Sequence, residues 1–410
     1  SEEAYPLVNG STGGILAAIY ATVPYGGTVL MGRNCHKSVY HGVRLVNAKV
    51  AYLQPEQDSE TGACGAVTPA AIETMLQTHR EAKLVIITSP TYEGVVSDVE
   101  GICSVAHKYS VPVLVDSAHG AHFGFGTFPK GAVECGADLV VHSLHKTLPC
   151  LTQTAMLHRT GSLVSGEKVQ SAVNVFQTSS PSYLLLASIE GCIGLLEKQG
   201  ETLCAEWNEA LTEFYKGVRL LQHIRVVGEN ETTGREDVEK ATQAAVYDRD
   251  PSKLILMTKG TDLTGPELMD KLRTEYYIEL EMAAEQYGLA MTGAGDTKSS
   301  LARLLQALLD IDAQCEKSAG KTCLYPELPP VQMRAADAEL VFAKERRWEN
   351  AIGRIAGEYV WAYPPGIPLL IPGEEITEEL VRFLKQKEAN GVKIHRTGGG
   401  TGEVIRCLEE

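Results

Sequence analysis

VLVDSAHGAHFGFGTFPKGAVECGADLVVHSLHKTLPCLTQTAML, residues 113–157, decides the reading of this chain. It contains most of one apolar run, 111–115, and the whole of another, 139–142, both rich in β-branched residues as buried strands are. The first ends at an acidic residue, Asp116, and the second at Ser143-Leu144-His145-Lys146. Strands that end side by side in an open α/β sheet share a crevice beyond their carboxyl ends, where such folds bind ligands. A carboxylate and a lysine so placed could equally be two surface charges, so the pair takes its meaning from what surrounds it.

Outward from this block, apolar runs at 27–31, 50–53 and 84–88 alternate with helical patterns at 69–80 and 99–109. That alternation predicts βαβ units and a mainly parallel sheet covered by helices on both faces. A long helical stretch spans 183–221, apolar at Leu184, Leu185, Ile189, Ile193, Leu196, Leu203 and Trp207. A smaller α+β unit is expected from residue 241: strand 253–258, helix 265–275, strand 278–282, a strand near 289–291 and helix 298–310. The expected division is therefore 1–240 and 241–410, with a connector near 325–332 and a Pro-rich turn at 363–372.

Composition sets bounds. At 410 residues the chain has ample length to bury a core. A formal charge of −15 argues against a nucleic-acid or anionic-membrane surface. No apolar run approaches the roughly 20 residues needed to span a bilayer. The ten cysteines form no Cys-x-x-Cys pair, which argues against a zinc site and a secreted disulfide framework. The cytoplasm is the default expectation, since the acidic opening residues do not form a signal peptide.

A second chemical feature is Asn9-Gly10-Ser11-Thr12-Gly13-Gly14, just ahead of the apolar helical run 15–21. Small residues let backbone N–H groups approach an anion, and a helix N-terminus adds the positive end of its dipole. Ser11 and Thr12 can donate hydroxyls to phosphate oxygens. An ordinary N-cap would read the same way in isolation.

A lysine to form a Schiff base and an acid to keep a pyridine nitrogen protonated are what a pyridoxal phosphate enzyme needs. The chain resembles the Orn/Lys/Arg decarboxylase family, pyridoxal phosphate enzymes of the aspartate-aminotransferase type (fold type I). The resemblance is carried by the block above and by Val8 to Gly14, Arg33-Asn34-Cys35-His36-Lys37-Ser38, Thr88-Ser89-Pro90-Thr91-Tyr92-Glu93-Gly94, Phe176 to Tyr183 and Tyr363-Pro364-Pro365-Gly366-Ile367-Pro368-Leu369. Members of that family carry several dozen residues ahead of the Asn9–Gly14 motif, including a Gly-His-Lys segment. Their absence here leads to the expectation of a chain truncated at its start or a shortened homologue.

The resemblance implies a role for each site residue. Lys146 holds pyridoxal phosphate, Asp116 pairs with its ring nitrogen, and His36 stacks on one face of the ring with the small Ala118 on the other. Ser143 and His145 reach the phosphate opposite Ser11, Thr12 and Gly13, and His119 lies near the cofactor. The implied reaction is decarboxylation of lysine, arginine or ornithine, with Glu374 and Glu375 as candidates for meeting a basic side chain. An acidic first turn of a helix at 377–386 is an equal reading of those two glutamates. The implied assembly is at least a homodimer, with residues 177–183 at the interface; the same segment could simply cap a helix starting near Pro181.

Cofactor residues alone do not separate a decarboxylase from an aminotransferase or lyase, and a catalytically impaired regulatory homologue also stays open. Two glycine-rich stretches are set aside. Gly320-Lys321-Thr322 lacks the leading glycine and the preceding strand of a phosphate-binding loop. Gly398-Gly399-Gly400-Thr401-Gly402 reads as a turn before a terminal strand.

Overall fold

Consecutive apolar positions along the inner strands require a sheet covered on both sides. The computed structural model describes residues 1–58, 60–228, 245–318, 326–362, 367–389, 392–399 and 403–409. The boundary at 240/241, the Gly320-Lys321-Thr322 stretch, residues 363–366 of the Pro-rich turn, residue 325 of the connector and residues 400–402 lie outside the described residues.

The first part of the chain runs β1 (Glu3–Leu7), α1 (Gly10–Thr22), β2 (Thr28–Gly32), α2 (Lys37–Leu45), β3 (Lys49–Leu53), α3 (Pro69–Thr78) and β4 (Ala82–Thr88). It continues with β5 (Val95–Val96), α4 (Val99–Lys108), β6 (Val113–Asp116), β7 (Leu139–Ser143), α5 (Leu144–Thr147), β8 (Ala155–Arg159), α6 (Gly166–Phe176) and α7 (Tyr183–Val218). Seven strands form one sheet in the order β1-β8-β7-β6-β4-β2-β3. β7, β6, β4, β2 and β3 are parallel, and β8 runs antiparallel to β7 and β1. The expected mainly parallel, helix-covered sheet is present. The sequence reading leaves out β1 and β8: β1 carries Pro6, which only an edge strand tolerates, and β8 closes on the polar His158-Arg159.

Alternation along the strands feeds two cores. Val29, Met31, Leu84, Ile86, Leu114 and Val141 pack with Ile15, Ile19 and Val39 of α1 and α2. Leu30, Val85, Ile87, Val113, Val115 and Val140 pack with Ile72, Leu76 and Ile102 of α3 and α4. A period of two then places Thr88, Asp116 and Ser143, the last residues of β4, β6 and β7, on the face that α1 covers.

Beyond α7 come β9 (Arg225–Val227), β10 (Asp248–Arg249), β11 (Lys253–Met257), α8 (Gly265–Tyr276), β12 (Met282–Ala284), β13 (Tyr287–Met291) and α9 (Lys298–Asp312). The antiparallel sheet β12-β13-β11-β9 packs with α8 and α9 against Trp207, Leu211 and Phe214 of α7. α8 opens on a capping box between Thr264 and Glu267 with Pro266 in its first turn. The strand expected at 278–282 begins only at Met282, because Tyr277 turns left-handed (φ 55°) to end α8 and the next residues lead the chain back. α7 stops at Val218, not at residue 221.

The last part of the chain has its own small core of Trp348, Val360, Leu370, Ile376, Leu380, Leu384 and Ile405. It includes a helix at Glu378–Ala389, close to the expected 377–386. Its anchor on the large sheet is an ion pair with no water around it. Arg33, one residue past β2, donates from Nη2 to Glu374 Oε2 at 3.0 Å, and the two side chains are 5% and 1% exposed. Arg33 Nη1 also donates to Tyr40 Oη at 2.9 Å, and the guanidinium lies 5.1 Å from the centre of the Tyr52 ring. Burial pushes the Glu374 carboxyl up, and the Arg33 charge and the Ile371 N–H oppose that rise.

Removing one partner of a buried pair strands the other. Arg33→Leu should therefore cost about 3–5 kcal/mol in urea unfolding, and Arg33→Leu with Glu374→Leu should recover most of it. A single-variant loss below about 1 kcal/mol would show that the pair is not structural.

Candidate active site

The crevice beyond the carboxyl ends of β4, β6 and β7 gathers most of the residues singled out from the sequence. Asp116 ends β6 and is buried; its Oδ1 accepts the Ala118 N–H at 3.2 Å. Lys146 lies in the short α5 that turns off β7, beside β6 in parallel register. Its Nζ is 2.8 Å from His119 Nε2 and 5.8 Å from the centre of the Tyr92 ring. His119 packs its edge on Tyr92, with ring centres 4.7 Å apart.

Electrostatics make this a place where charge is costly. Burial is the main force lowering the proton affinity of Lys146; Lys253 lowers it further, while Asp116 and Glu281 work the other way. Burial pushes Asp116 up, which the Lys146 charge and the Ala118 N–H counter. Burial, Lys146 and Lys253 drive His119 well below the ordinary histidine range. With neutral His119 accepting the lysine proton at Nε2, its own proton sits on Nδ1, an atom that is buried and without a partner.

His36 stands at the N-cap of α2, where Nδ1 accepts the Ser38 N–H at 3.2 Å and lies 2.8 Å from Ser38 Oγ. Nδ1 is therefore unprotonated. Burial, with help from Lys146 and Lys37, lowers this histidine to about 4.

The phosphate end is set by α1. Asn9 provides no side-chain cap and no acidic residue lies in the first turn of the helix, although the Gly10 N–H is taken by Gln153 O at 2.8 Å and the Gly13 N–H by Asn9 O at 3.3 Å. A Cβ on Gly14 would come within 2.6 Å of Leu7 Cδ1 and 3.2 Å of Val141 Cγ1. Glycine thus lets the first turn of α1, with Ser11, Thr12 and Gly13, lie directly on β7, two residues before Ser143. Ser143 Oγ is buried without a partner. His145 is half-buried with Nδ1 2.9 Å from Thr154 O, which leaves Nε2 for another partner. An orphaned hydroxyl at the end of the strand on which α1 begins, together with a buried carboxylate and a recessed amine, fits the phosphate, ring nitrogen and aldehyde of pyridoxal phosphate.

Two expectations change. Glu374 is buried with Oε2 held by Arg33 and the Ile371 N–H and Oε1 closed off from water, so burial keeps it from a substrate, and Glu375 accepts from Gln332 Nε2 at 3.0 Å. Besides Asp116, a second acidic group that acts on Lys146 is Glu281, which is exposed and receives the Tyr92 hydroxyl. Tyr92 falls within one of the segments that matched by resemblance, but nothing local marked Glu281. It belongs to a different unit, just before β12, and only the docking of that unit brings it to the crevice.

Neutral His36 has a consequence for stability. Its folded value of about 4 lies below the unfolded value of about 6.5. Between those limits the unfolded chain binds a proton that the folded chain refuses, so stability is lost as pH falls below about 6.5. Relative to the wild type, His36→Phe should gain on the order of 2 kcal/mol as pH drops from 7 to 4.5, read from urea midpoints. A difference that stays constant with pH would remove His36 from the buried, neutral state.

Comparison with known proteins agrees with this geometry. Residues 1–273 match the Orn/Lys/Arg decarboxylase major domain, and residues 320–394 match the C-terminal domain of the same family. The arginine decarboxylase of Bacillus subtilis is 33% identical over 408 residues, 98% of this chain and 81% of that protein. The lysine decarboxylase of Francisella novicida superimposes with a TM-score of 0.83 at 20% identity, over 100% of this chain and 70% of that one. An alanine–glyoxylate aminotransferase from Nostoc sp. aligns with a TM-score of 0.58 at 16% identity, over 75% of this chain and 81% of that one, as the aminotransferase-type fold requires. With both of its family domains matched in order, this chain belongs to the Orn/Lys/Arg decarboxylases and not to the aminotransferases that share the fold.

Proposed function

We propose that this chain decarboxylates a basic amino acid (lysine, arginine or ornithine) using pyridoxal phosphate attached at Lys146. The observation that carries the reading is the Lys146 amine: recessed, low in proton affinity, 2.8 Å from a neutral histidine and acted on by the carboxylates of Asp116 and Glu281. The arginine decarboxylase relative makes arginine the first substrate to test.

Each residue then has a task. Burial keeps Lys146 in its neutral, nucleophilic form at lower pH than a free lysine allows. His119 Nε2 is the acceptor for its proton and can return that proton to the reacting carbon. Asp116 gains a cationic partner when a protonated ring nitrogen reaches it, which favours the ionised carboxylate that burial alone resists. His36, uncharged, offers a flat face without adding a second positive charge, and Ala118 leaves room opposite. Ser143 Oγ, His145 and the first turn of α1 at Ser11, Thr12 and Gly13 hold the phosphate. When bound, the cofactor supplies the electron sink for the pair left behind as CO2 departs. Glu281, with Tyr92 donating to it, places negative charge where a substrate's cationic side chain would lie.

Lys146→Ala should abolish the lysine-linked visible absorbance of the loaded enzyme and reduce turnover at least about a thousandfold. Glu281→Gln should keep that absorbance and raise KM for arginine, lysine or ornithine roughly tenfold or more. A band that survives in Lys146→Ala would overturn the assignment, and an unchanged KM would remove Glu281 from substrate recognition.

The active form we propose is at least a homodimer. α7 begins with Tyr183 and Leu184 at 84% and 70% exposure, an apolar edge next to the exposed hydroxyls of Thr178, Ser179 and Ser180. Ser182 also caps α7 at Leu185 N, so the segment serves its own helix as well. Mixing a Lys146→Ala chain with a chain carrying alanines at Thr178, Ser179 and Ser180 should recover activity, whereas a fully active monomer on sizing would end the idea.

A further inference from the structure

β11 opens with a charged residue where a packed strand has no need of one. Its sequence is Lys-Leu-Ile-Leu-Met and all five residues are buried, Lys253 completely. Asp250, Ser252 and His122 are closed off from water with it. Lys253 Nζ donates to Asp250 Oδ2 at 3.0 Å and to Ser252 Oγ at 3.2 Å. Asp250 Oδ1 accepts the Ser252 N–H at 2.9 Å and lies 3.1 Å from His122 Nε2. Burial alone would raise the Asp250 carboxyl, but Lys253 and His122 hold it well below the usual carboxylate range.

The cluster is wedged between the two loops that touch Lys146. A Cβ on Gly94, which has φ +88°, would stand 2.8 Å from Lys253 Cβ and 2.9 Å from Cγ, and Gly94 O accepts the Asp250 N–H at 2.8 Å. Gly94 closes the loop of Tyr92. His122 stands three residues after His119 and packs among Phe123, Phe128 and Trp207. An apolar side chain of similar volume would fill the space at no desolvation cost, so packing does not account for a buried ammonium here.

We propose that Lys253 is a positioning residue for Lys146: its ion pair with Asp250 seats the Tyr92 and His119 loops, and its ammonium opposes a second positive charge on the neighbouring lysine. The proposal rests on Lys146 being the cofactor lysine. Lys146 touches His119 and Tyr92 from the two loops; the charges of Asp116 at the end of β6, Glu281 ahead of β12 and Lys253 act on it, and its own charge acts on His36 at the cap of α2. Among these, Asp116 and Glu281 favour the protonated amine, and Lys253 is the cation that answers them.

Charge variants separate this role from a purely structural one because they move Lys146 in opposite directions. The readout is competitive acetylation of lysine amines against pH, quantified for Lys146 by mass spectrometry in the cofactor-free chain. The pH titration of the visible absorbance in the loaded enzyme provides a second measure. Lys253→Met should raise the titration midpoint of Lys146 by roughly one pH unit, Asp250→Asn should lower it, and Lys253→Arg should restore a value near wild type. If Lys253→Met does not fold, Lys253→Met with Asp250→Asn replaces it and should give a smaller rise. Equal midpoints in all variants, or a shift of the same sign in Lys253→Met and Asp250→Asn, would overturn the proposal. The acetylation readout needs no cofactor, so loss of the Lys146 assignment and loss of the Lys253 role are seen separately.

Discussion

On the proposed function Lys146 acts as a nucleophile near neutral pH, so it has to be kept from its proton, and the elements around it serve that requirement. Water would hold Lys146 charged. The fold removes the water by setting the lysine on a four-residue helix that turns off an almost fully buried strand, against the Tyr92 and His119 loops. Too much isolation would make the amine inert, so Asp116 and Glu281 return some negative charge. The site is a balance between desolvation and opposing charges, and residues from several different elements share in it.

Much of the large sheet was legible because its inner strands are continuous apolar runs and its helices carry ordinary start signals. Asp116 and Lys146 could be placed together since adjacent parallel strands bring their ends to one level. The edge strand β1 and the antiparallel β8 were not legible, since Pro6 and the terminal His158-Arg159 disguise their pattern. At the site, local motifs led to Ser11, Thr12, Gly13, His36, Ser143 and His145. Glu281, Lys253 and Asp250 carry no motif. They reach the crevice because a second sheet docks there, and no short stretch of sequence encodes that docking. Glu374 failed in the other direction: a glutamate after a Pro-rich turn looks available, and only its partner 341 positions upstream shows that it is already engaged.

The two large units meet through polar contacts as well as apolar ones. α7 spans 36 residues, and its later half supplies Trp207, Leu211 and Phe214 to the second unit's core. Trp207 Nε1 also donates to Thr292 Oγ1 at 2.9 Å, and its ring leans on His122, which connects to Asp250. A shift of the antiparallel sheet would therefore be felt at His119 within a few side chains.

The Arg33–Glu374 pair gives this arrangement a direction in time. His36 sits three residues beyond Arg33, on a loop whose cation has its carboxylate only after residue 374 has been made. A chain emerging from the ribosome forms the large parallel sheet from its first 160 residues. It then carries an uncompensated guanidinium beside Tyr40 and Tyr52 until residue 374, 341 positions further on, has been made. Through that interval the crevice lacks Glu281 for most of the time, and Arg33, three residues ahead of His36, lacks its carboxylate for all of it. A polypeptide interrupted between residues 160 and 281 would own the local motifs around Ser11, His36, Asp116 and Lys146 without the Glu281 and Glu374 carboxylates that act on Lys146 and Arg33.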